Sequence, residues 1–206
     1  MVTRIERLRA ASTTATLLVA ALLLSGCSAA VEEEPPFDLV DFPSADEAQA
    51  AEPGAQFAQG EAAWLPFDGS NPDNLGGVAL VEVITGDASY WDDFTNGDEF
   101  MDYTPYFVVI QHQRLTGNSS PSDFIPLLAD GTEASAAQLA DFMQVGAACP
   151  VELPYLDDPD QRLECVVGID KTQPVVGFAW HNTVMGMNLD PENPWLDNPA
   201  TWSTEY

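Results

Sequence analysis

The stretch Tyr106-Phe107-Val108-Val109-Ile110-Gln111-His112-Gln113-Arg114-Leu115 decides the fold. β-Branched and aromatic residues fill its first half, which is typical of a β-strand. Because side chains alternate along a strand, Val108 and Ile110 share one face and Phe107 and Val109 share the other. The first half is apolar on both faces and the second half becomes polar. The sequence therefore predicts a central strand over 106–115.

Further strands are predicted on either side of it. The run Val78–Thr85 is rich in β-branched residues and ends at a Gly-Asp turn signal. Pro126 cannot donate to a ladder, so the short run 124–128 is expected at a sheet edge. The alternating run 163–169 and the apolar face of 176–180 predict a hairpin that reverses at 171–174. The remaining predicted elements are a first strand within Phe57–Phe67 and a short helix over Ala134–Phe142.

Short β-rich runs separated by turns and long loops favour an all-β fold, an antiparallel β-sandwich with long acidic loops. With 46% apolar residues the chain can build a core. We expect an acidic, disordered tether over 27–53, a folded domain over 54–187 and a flexible tail over 188–206. The tail has three prolines and two tryptophans but no apolar period.

The N-terminus has the layout of a secretory signal. Arg4, Arg7 and Arg9 precede an apolar run, 15–24, that is too short for a permanent transmembrane helix. Leu24-Ser25-Gly26-Cys27 follows, and this segment resembles the lipobox of bacterial lipoproteins. The resemblance implies removal of residues 1–26 and a lipid such as palmitate on the Cys27 thiol. It places the protein on the extracytoplasmic face of the cell membrane, where two acyl chains give stable attachment.

The charge balance limits the partners. The chain has 33 acidic and 6 basic residues, a net charge of −27, and only Arg114, Arg162 and Lys171 remain basic after residue 26. Such a chain repels nucleic acid and anionic lipid headgroups. A protein partner in the envelope is therefore expected to be neutral or basic. The expected link to membrane lipid is the acylated Cys27.

Over 54–183, the order of features is similar to the immunoglobulin-like domains of Gram-positive envelope lipoproteins. The features that support this resemblance are the lipobox and acidic tether, a β-branched strand, the Tyr-Phe-Val-Val-Ile strand, an Asp-Gly turn, and a Cys-to-Cys segment before a final hairpin. The Cys-Trp-Cys spacing of antibody domains is missing. The resemblance implies an immunoglobulin-like sandwich and an envelope location more than an activity.

Two cysteines remain if Cys27 takes a lipid. Cys149 and Cys165 are an even pair in an oxidising location and are expected to form a disulfide. The closed loop of about 15 residues would then contribute roughly 3 kcal/mol by the chain-entropy estimate. The alternative is that the two cysteines bind a metal ion. Such a site would need two further ligands, and the histidines available in the sequence are His112 and His181.

The segment Ala88–Asp102 sets four aromatic residues among five acids. One hypothesis is that Trp91 and Phe94 contribute to a partner-binding surface. The competing interpretation, which we favour, is that these aromatics fold back and close the edge of the sandwich.

The sequence lacks a Gly-x-Ser-x-Gly elbow, a His-Glu-x-x-His motif, a P-loop and a dinucleotide fingerprint. We therefore assign no catalytic, cofactor-binding or metal-binding residue. The favoured function is a non-catalytic envelope binding or accessory module. The alternatives are a lipoprotein that binds a cation or small ligand, and an extracellular hydrolase that uses carboxylates.

Overall fold

In the described part of the chain, the apolar runs form nine strands. The computed structural model describes residues 37–44, 47–66, 75–94, 96–114, 124–136, 150, 152–182 and 192–205. The predicted signal segment and Cys27 lie outside these ranges. The strands are β1 (Gln56–Ala58), β2 (Ala62–Pro66), β3 (Leu75–Thr85), β4 (Thr104–Arg114), β5 (Phe124–Leu128), β6 (Ser135–Ala136), β7 (Gln161–Asp170), β8 (Val175–Trp180) and β9 (Ala200–Ser203).

The strands form two sheets. One has the order β2-β3-β4-β7-β6, and the other has the order β1-β9-β8-β5. All neighbouring strands pair antiparallel except β1 and β9, which run parallel. The all-β class is therefore confirmed. The predictions that β4 is central and that β5 lies at an edge are also confirmed.

Side chains from both sheets share one apolar core. From β4, the alternating residues Tyr106, Val108 and Ile110 enter this core. They meet aromatic residues of the second sheet, in which the rings of Phe178 and Trp202 stack with centroids 4.8 Å apart. The core residues are all but inaccessible to water, and burial of this kind is the main favourable contribution to folding.

The outer face of β4 is buried as well. Val109 packs there with Phe37 and Val81, and Phe107 meets the ring of Tyr90 at 5.0 Å. This second layer explains why β4 is apolar on both faces, a pattern usually found in strands covered on both sides.

The expected flexible tail is wrong for residues 192–205. Residues 200–203 form β9, which lies between β1 and β8. Trp202 and Trp195 are buried in the main core, and Trp202 Nε1–H donates to Glu61 O at 3.0 Å. A four-residue strand is too short to show a period, and its partners lie far away in the sequence.

The expected disordered tether is wrong for its second half. Residues 37–44, here called the strap, lie against the outer face of the five-stranded sheet, with Phe37 buried in the cluster of Val81 and Val109. Farther along, Ala51 N–H donates to Trp64 O at 2.7 Å. Few apolar residues are present in this segment, but Phe37 and Phe42 pack against the sheet, whereas Leu39 stays exposed.

The predicted C-terminal hairpin is also wrong. β7 belongs to the five-stranded sheet and β8 to the four-stranded sheet, so the connection crosses from one sheet to the other. Asp170 Oδ1 accepts the N–H groups of Thr172 and Gln173 and fixes this turn. The alternation of side chains correctly assigned the residues of β7 to the two faces of its sheet. It could not show which strand pairs with β7.

The described ranges contain two short 3₁₀ helices, Ala88–Asp93 and Gly97–Glu99. No helix there has the length and apolar content needed to cross a bilayer. Of the predicted helix over 134–142, residues 135–136 form β6 instead, and residues 137–142 lie outside the described residues.

Candidate binding groove

The aromatic residues of the segment 88–102 fold inward. Trp91 is fully buried, and its Nε1–H donates to Tyr103 O at 3.0 Å. Gly97 lies so close that a Cβ there would stand 1.8 Å from Trp91 O. Phe94 is half-buried, with its ring 5.0 Å from that of Tyr90. Trp91 is thus a core residue here, and the partner-binding role suggested for it has no exposed ring to support it.

A groove opens elsewhere, along the loop 152–160 and the start of β7. Its volume is about 350 Å³, which is near the lower end of the range for ligand pockets, about 300–1,000 Å³. Tyr155 lines it and is fully exposed to solvent. The polar lining comes from Gln161 and Arg162. The apolar lining consists of Leu153, Pro154, Leu156, Pro159 and Leu163.

The strap supports the groove from behind. Phe37 packs in one cluster with Leu153 and Leu163, two residues that also line the groove. Farther along the strap, the ring of Phe42 lies over Gly77, where a Cβ would stand 2.4 Å from the Phe42 Cδ1 atom. Only glycine permits this close approach, so the strap has a fitted site on the sheet.

A buried amide continues this support. Gln111 donates through Nε2 to Gln161 Oε1 at 3.0 Å and to Val40 O at 3.1 Å, and its Oε1 accepts Val40 N–H at 2.7 Å. Asp158 caps the loop end, since its Oδ1 accepts Asp160 N–H at 2.9 Å. Strap, sheet and groove loop therefore form one hydrogen-bonded unit, and the groove is organised before any ligand arrives.

The loop that forms the groove is acidic. Its carboxylates Glu152, Asp157, Asp158 and Asp160 are exposed, but they do not line the groove itself. The charged residue of the lining is Arg162, whose Nη2 lies 3.5 Å from Glu164 Oε2. The Arg162 charge is thus partly offset by a carboxylate of its own chain.

A buried histidine lies behind Arg162. His112 is 2% exposed, and its Nε2 is 3.2 Å from Glu164 Oε2, at an angle too poor for a well-aligned hydrogen bond. Burial lowers the pKa of His112, an effect that Glu164 only partly offsets. Burial acts to raise the pKa of Glu164, but contact with His112 and Arg162 outweighs it, and that pKa lies below its usual value. His112, Glu164 and Arg162 thus form one chain of contacts from the buried histidine to the exposed arginine.

The second histidine joins two loops. His181 Nε2 contacts Glu133 Oε1, and Nδ1 lies 3.2 Å from Leu196 O. Asn193 Nδ2–H donates to His181 O at 3.0 Å. This arrangement ties the segment 192–200 to the sheet, which is a structural task.

The alternative to a Cys149–Cys165 disulfide was a metal site that uses cysteine and histidine ligands. Among the described residues no three His, Cys, Asp or Glu side chains converge on a point that could hold a metal ion. Cys165 is disulfide-bonded. Cys149 lies outside the described residues, so its pairing with Cys165 stays a prediction.

No sequence pattern indicated the groove. Residues 151–160 hold four acids, two prolines and three aliphatic residues around one tyrosine, without the alternation of a strand. Trp91 and Tyr155 both lie in acidic, loop-like segments, and only the packing of the sheet decides that the first is buried and the second exposed.

Comparison with known proteins gives no relative: no family model, no curated protein and no solved structure matches the chain.

Proposed function

We propose that this protein is a lipid-anchored lipoprotein of the cell envelope whose immunoglobulin-like β-sandwich is a non-catalytic binding module. The lipobox-like segment ending at Cys27 supports the anchor. Two mainly antiparallel sheets around a shared core, with the chain crossing between them, support the sandwich. The observation on which the binding role rests is the fully exposed ring of Tyr155 in a groove on the outside of a filled core.

The anchor would hold the groove near the membrane. Ten residues lead from Cys27 to Phe37, where the strap begins its contact with the sheet. An extended chain of that length spans at most about 35 Å. Phe37 packs behind the groove, so the binding surface would face partners at or close to the membrane rather than distant ones.

Crosslinking in intact cells tests this proposal. A photoreactive phenylalanine analogue is placed at Tyr155, and a matched control carries it at Met101, which is also exposed. We expect a discrete adduct from position 155 that is absent from position 101. Equal patterns from both positions would contradict a binding role for the groove.

The anchor has its own control in the same cells. The Cys27→Ala variant should lose fatty-acid labelling and leave the membrane fraction, and the adduct at position 155 should weaken as the local concentration falls. Unchanged fatty-acid labelling of that variant would contradict the anchor at Cys27.

A small-molecule ligand is the second candidate. The observation that favours it is the groove volume of about 350 Å³, which is enough for a compact ligand. Such a ligand would leave position 155 without a protein adduct while still protecting the loop 152–160 from hydrogen exchange.

A further inference from the structure

We infer that the Tyr155 groove is a docking site for a cationic, extended segment of an envelope protein, with a lysine or arginine of that segment over the Tyr155 ring. This inference rests on the proposed function and names the chemistry of its partner. Three features of the groove favour this occupant: charge, an exposed ring and a preorganised loop.

Charge favours a cationic occupant. Four exposed carboxylates flank Tyr155 in the loop 152–160. The nearby cation Arg162 already lies against Glu164. An incoming positive group therefore meets uncompensated negative charge, whereas an anionic group would be repelled. Charge complementarity of this kind raises association rates and excludes wrong partners.

The exposed ring favours the same occupant. The face of a tyrosine ring attracts cations electrostatically, because the ring quadrupole makes that face negative. The described residues show the arrangement internally: Lys171 Nζ lies 4.4 Å from the centroid of the Tyr103 ring and 3.8 Å from Asp102 Oδ2. Tyr155 offers an exposed ring of the same kind, and Asp157, next but one in sequence, is exposed as well.

The groove itself favours an extended peptide. Pro154 and Pro159 fix the backbone of the loop, and Phe37 and Gln111 hold its inner side. A rigid site of this kind loses little entropy on binding. Its apolar lining suits an apolar side chain next to the cationic one, which an extended segment presents in alternation.

Selection from a random displayed-peptide library on the full mature protein tests the inference. We expect enriched peptides that have net positive charge and at least one large apolar residue. Binding should weaken between about 0.01 and 1 M salt, because the Debye length falls from about 30 to about 3 Å.

Matched variants locate the binding. Tyr155→Ala should weaken the selected peptides by about 30-fold or more, the size of an interface hot spot. The double variant Asp157→Asn, Asp160→Asn should weaken them by about 10-fold, and the control Asp92→Asn, Asp93→Asn should leave them unchanged. All these side chains are exposed, so folding is preserved and is checked by the melting temperature.

Failure to enrich peptides, enrichment of neutral or acidic peptides, or binding that survives Tyr155→Ala would overturn the inference. These outcomes are distinct from failure of the proposed function. Adducts at position 155 in cells would still support a binding module if the selected peptides were not cationic. Selection of cationic peptides without any adduct in cells would uphold the groove chemistry and reject the envelope role.

Discussion

The side chain of Gln111 and the backbone of Val40 exchange two hydrogen bonds, at 2.7 and 3.1 Å. Gln111 is fully buried in β4, and its amide makes a third bond to Gln161 at the groove. The side-chain amide of Gln111 takes the place that the backbone of a neighbouring strand would have. It therefore joins the strap to the sheet without a regular ladder of backbone hydrogen bonds. The consequence is that the strap is part of the folded domain.

Replacing Gln111 by leucine should release the strap. The change leaves Val40 N–H and O and the Gln161 amide without these partners, at a cost of about 1–3 kcal/mol. Chemical denaturation measures the loss, and hydrogen exchange should rise at Val40 and in the loop 152–160. Gln59→Leu is the control, since Gln59 makes one such bond, to Val81 O; equal exchange at Val40 in both variants would contradict the role of Gln111.

Trp91→Ala should strongly destabilise the domain. Truncating a fully buried tryptophan costs about 3–5 kcal/mol, because a cavity remains and the Nε1–H bond to Tyr103 is lost. Tyr155→Ala is the matched comparison, and this surface change should stay within about 0.5 kcal/mol. A stable Trp91→Ala protein would restore that residue as a candidate contact surface.

Reduction should lower the melting temperature if Cys149 and Cys165 are joined. The closed loop of about 15 residues predicts a loss of roughly 3 kcal/mol by the chain-entropy estimate. Thiol counting on denatured, unreduced mature protein checks the pairing, and two reactive thiols would contradict it. Cys149→Ser should match the reduced protein in stability, and reduction should then change this variant no further.

His112 predicts a pH dependence of stability. Its pKa is lowered by burial, so as pH falls below about 6.5 the unfolded chain takes up a proton that the folded chain does not. Stability should therefore fall with pH from about 6.5 downward, with a slope of at most about 1.4 kcal/mol per pH unit. The pKa of Glu164 is lowered from its ordinary value, and that of Asp130 is lowered from 3.8 to about 2, so both groups contribute below this window.

Denaturation at several pH values between about 5 and 7 measures this slope, because the ordinary pKa of histidine falls in that interval. The His112→Leu variant removes the titrating group while keeping an apolar filling for the site next to Phe124. Its stability should depend less on pH than that of the wild-type protein. Identical slopes in the two proteins would show that His112 is not protonated on unfolding in this range.

Local sequence pattern predicted the strands with strong periodicity. β4 and β3 were identified within a few residues because β-branched and aromatic side chains alternate over a long run. The edge position of β5 followed from Pro126, which cannot donate to a second neighbour. These properties belong to single strands, so they are visible without a fold.

Pairings between distant segments were not visible. The hairpin prediction placed β8 beside β7, but β8 pairs with β5 and β9 in the other sheet. The candidate site also depends on distant segments. The groove beside Tyr155 forms where the strap, β4 and the loop 152–160 pack together.

The sequence by itself determined the β class, the two apolar faces of β4, the strong negative charge and the lipobox-like segment at Cys27, because each depends on composition or on spacing within one stretch. The tertiary structure alone decided which aromatic residues are core and which is exposed. Trp202 is buried because Phe57 and Phe178 stack on either side of it, with ring centroids at 4.7 and 4.8 Å. Tyr155 stays exposed because no segment covers it within the described residues. Hydrophobicity belongs to a side chain, whereas burial depends on partners brought from elsewhere in the chain.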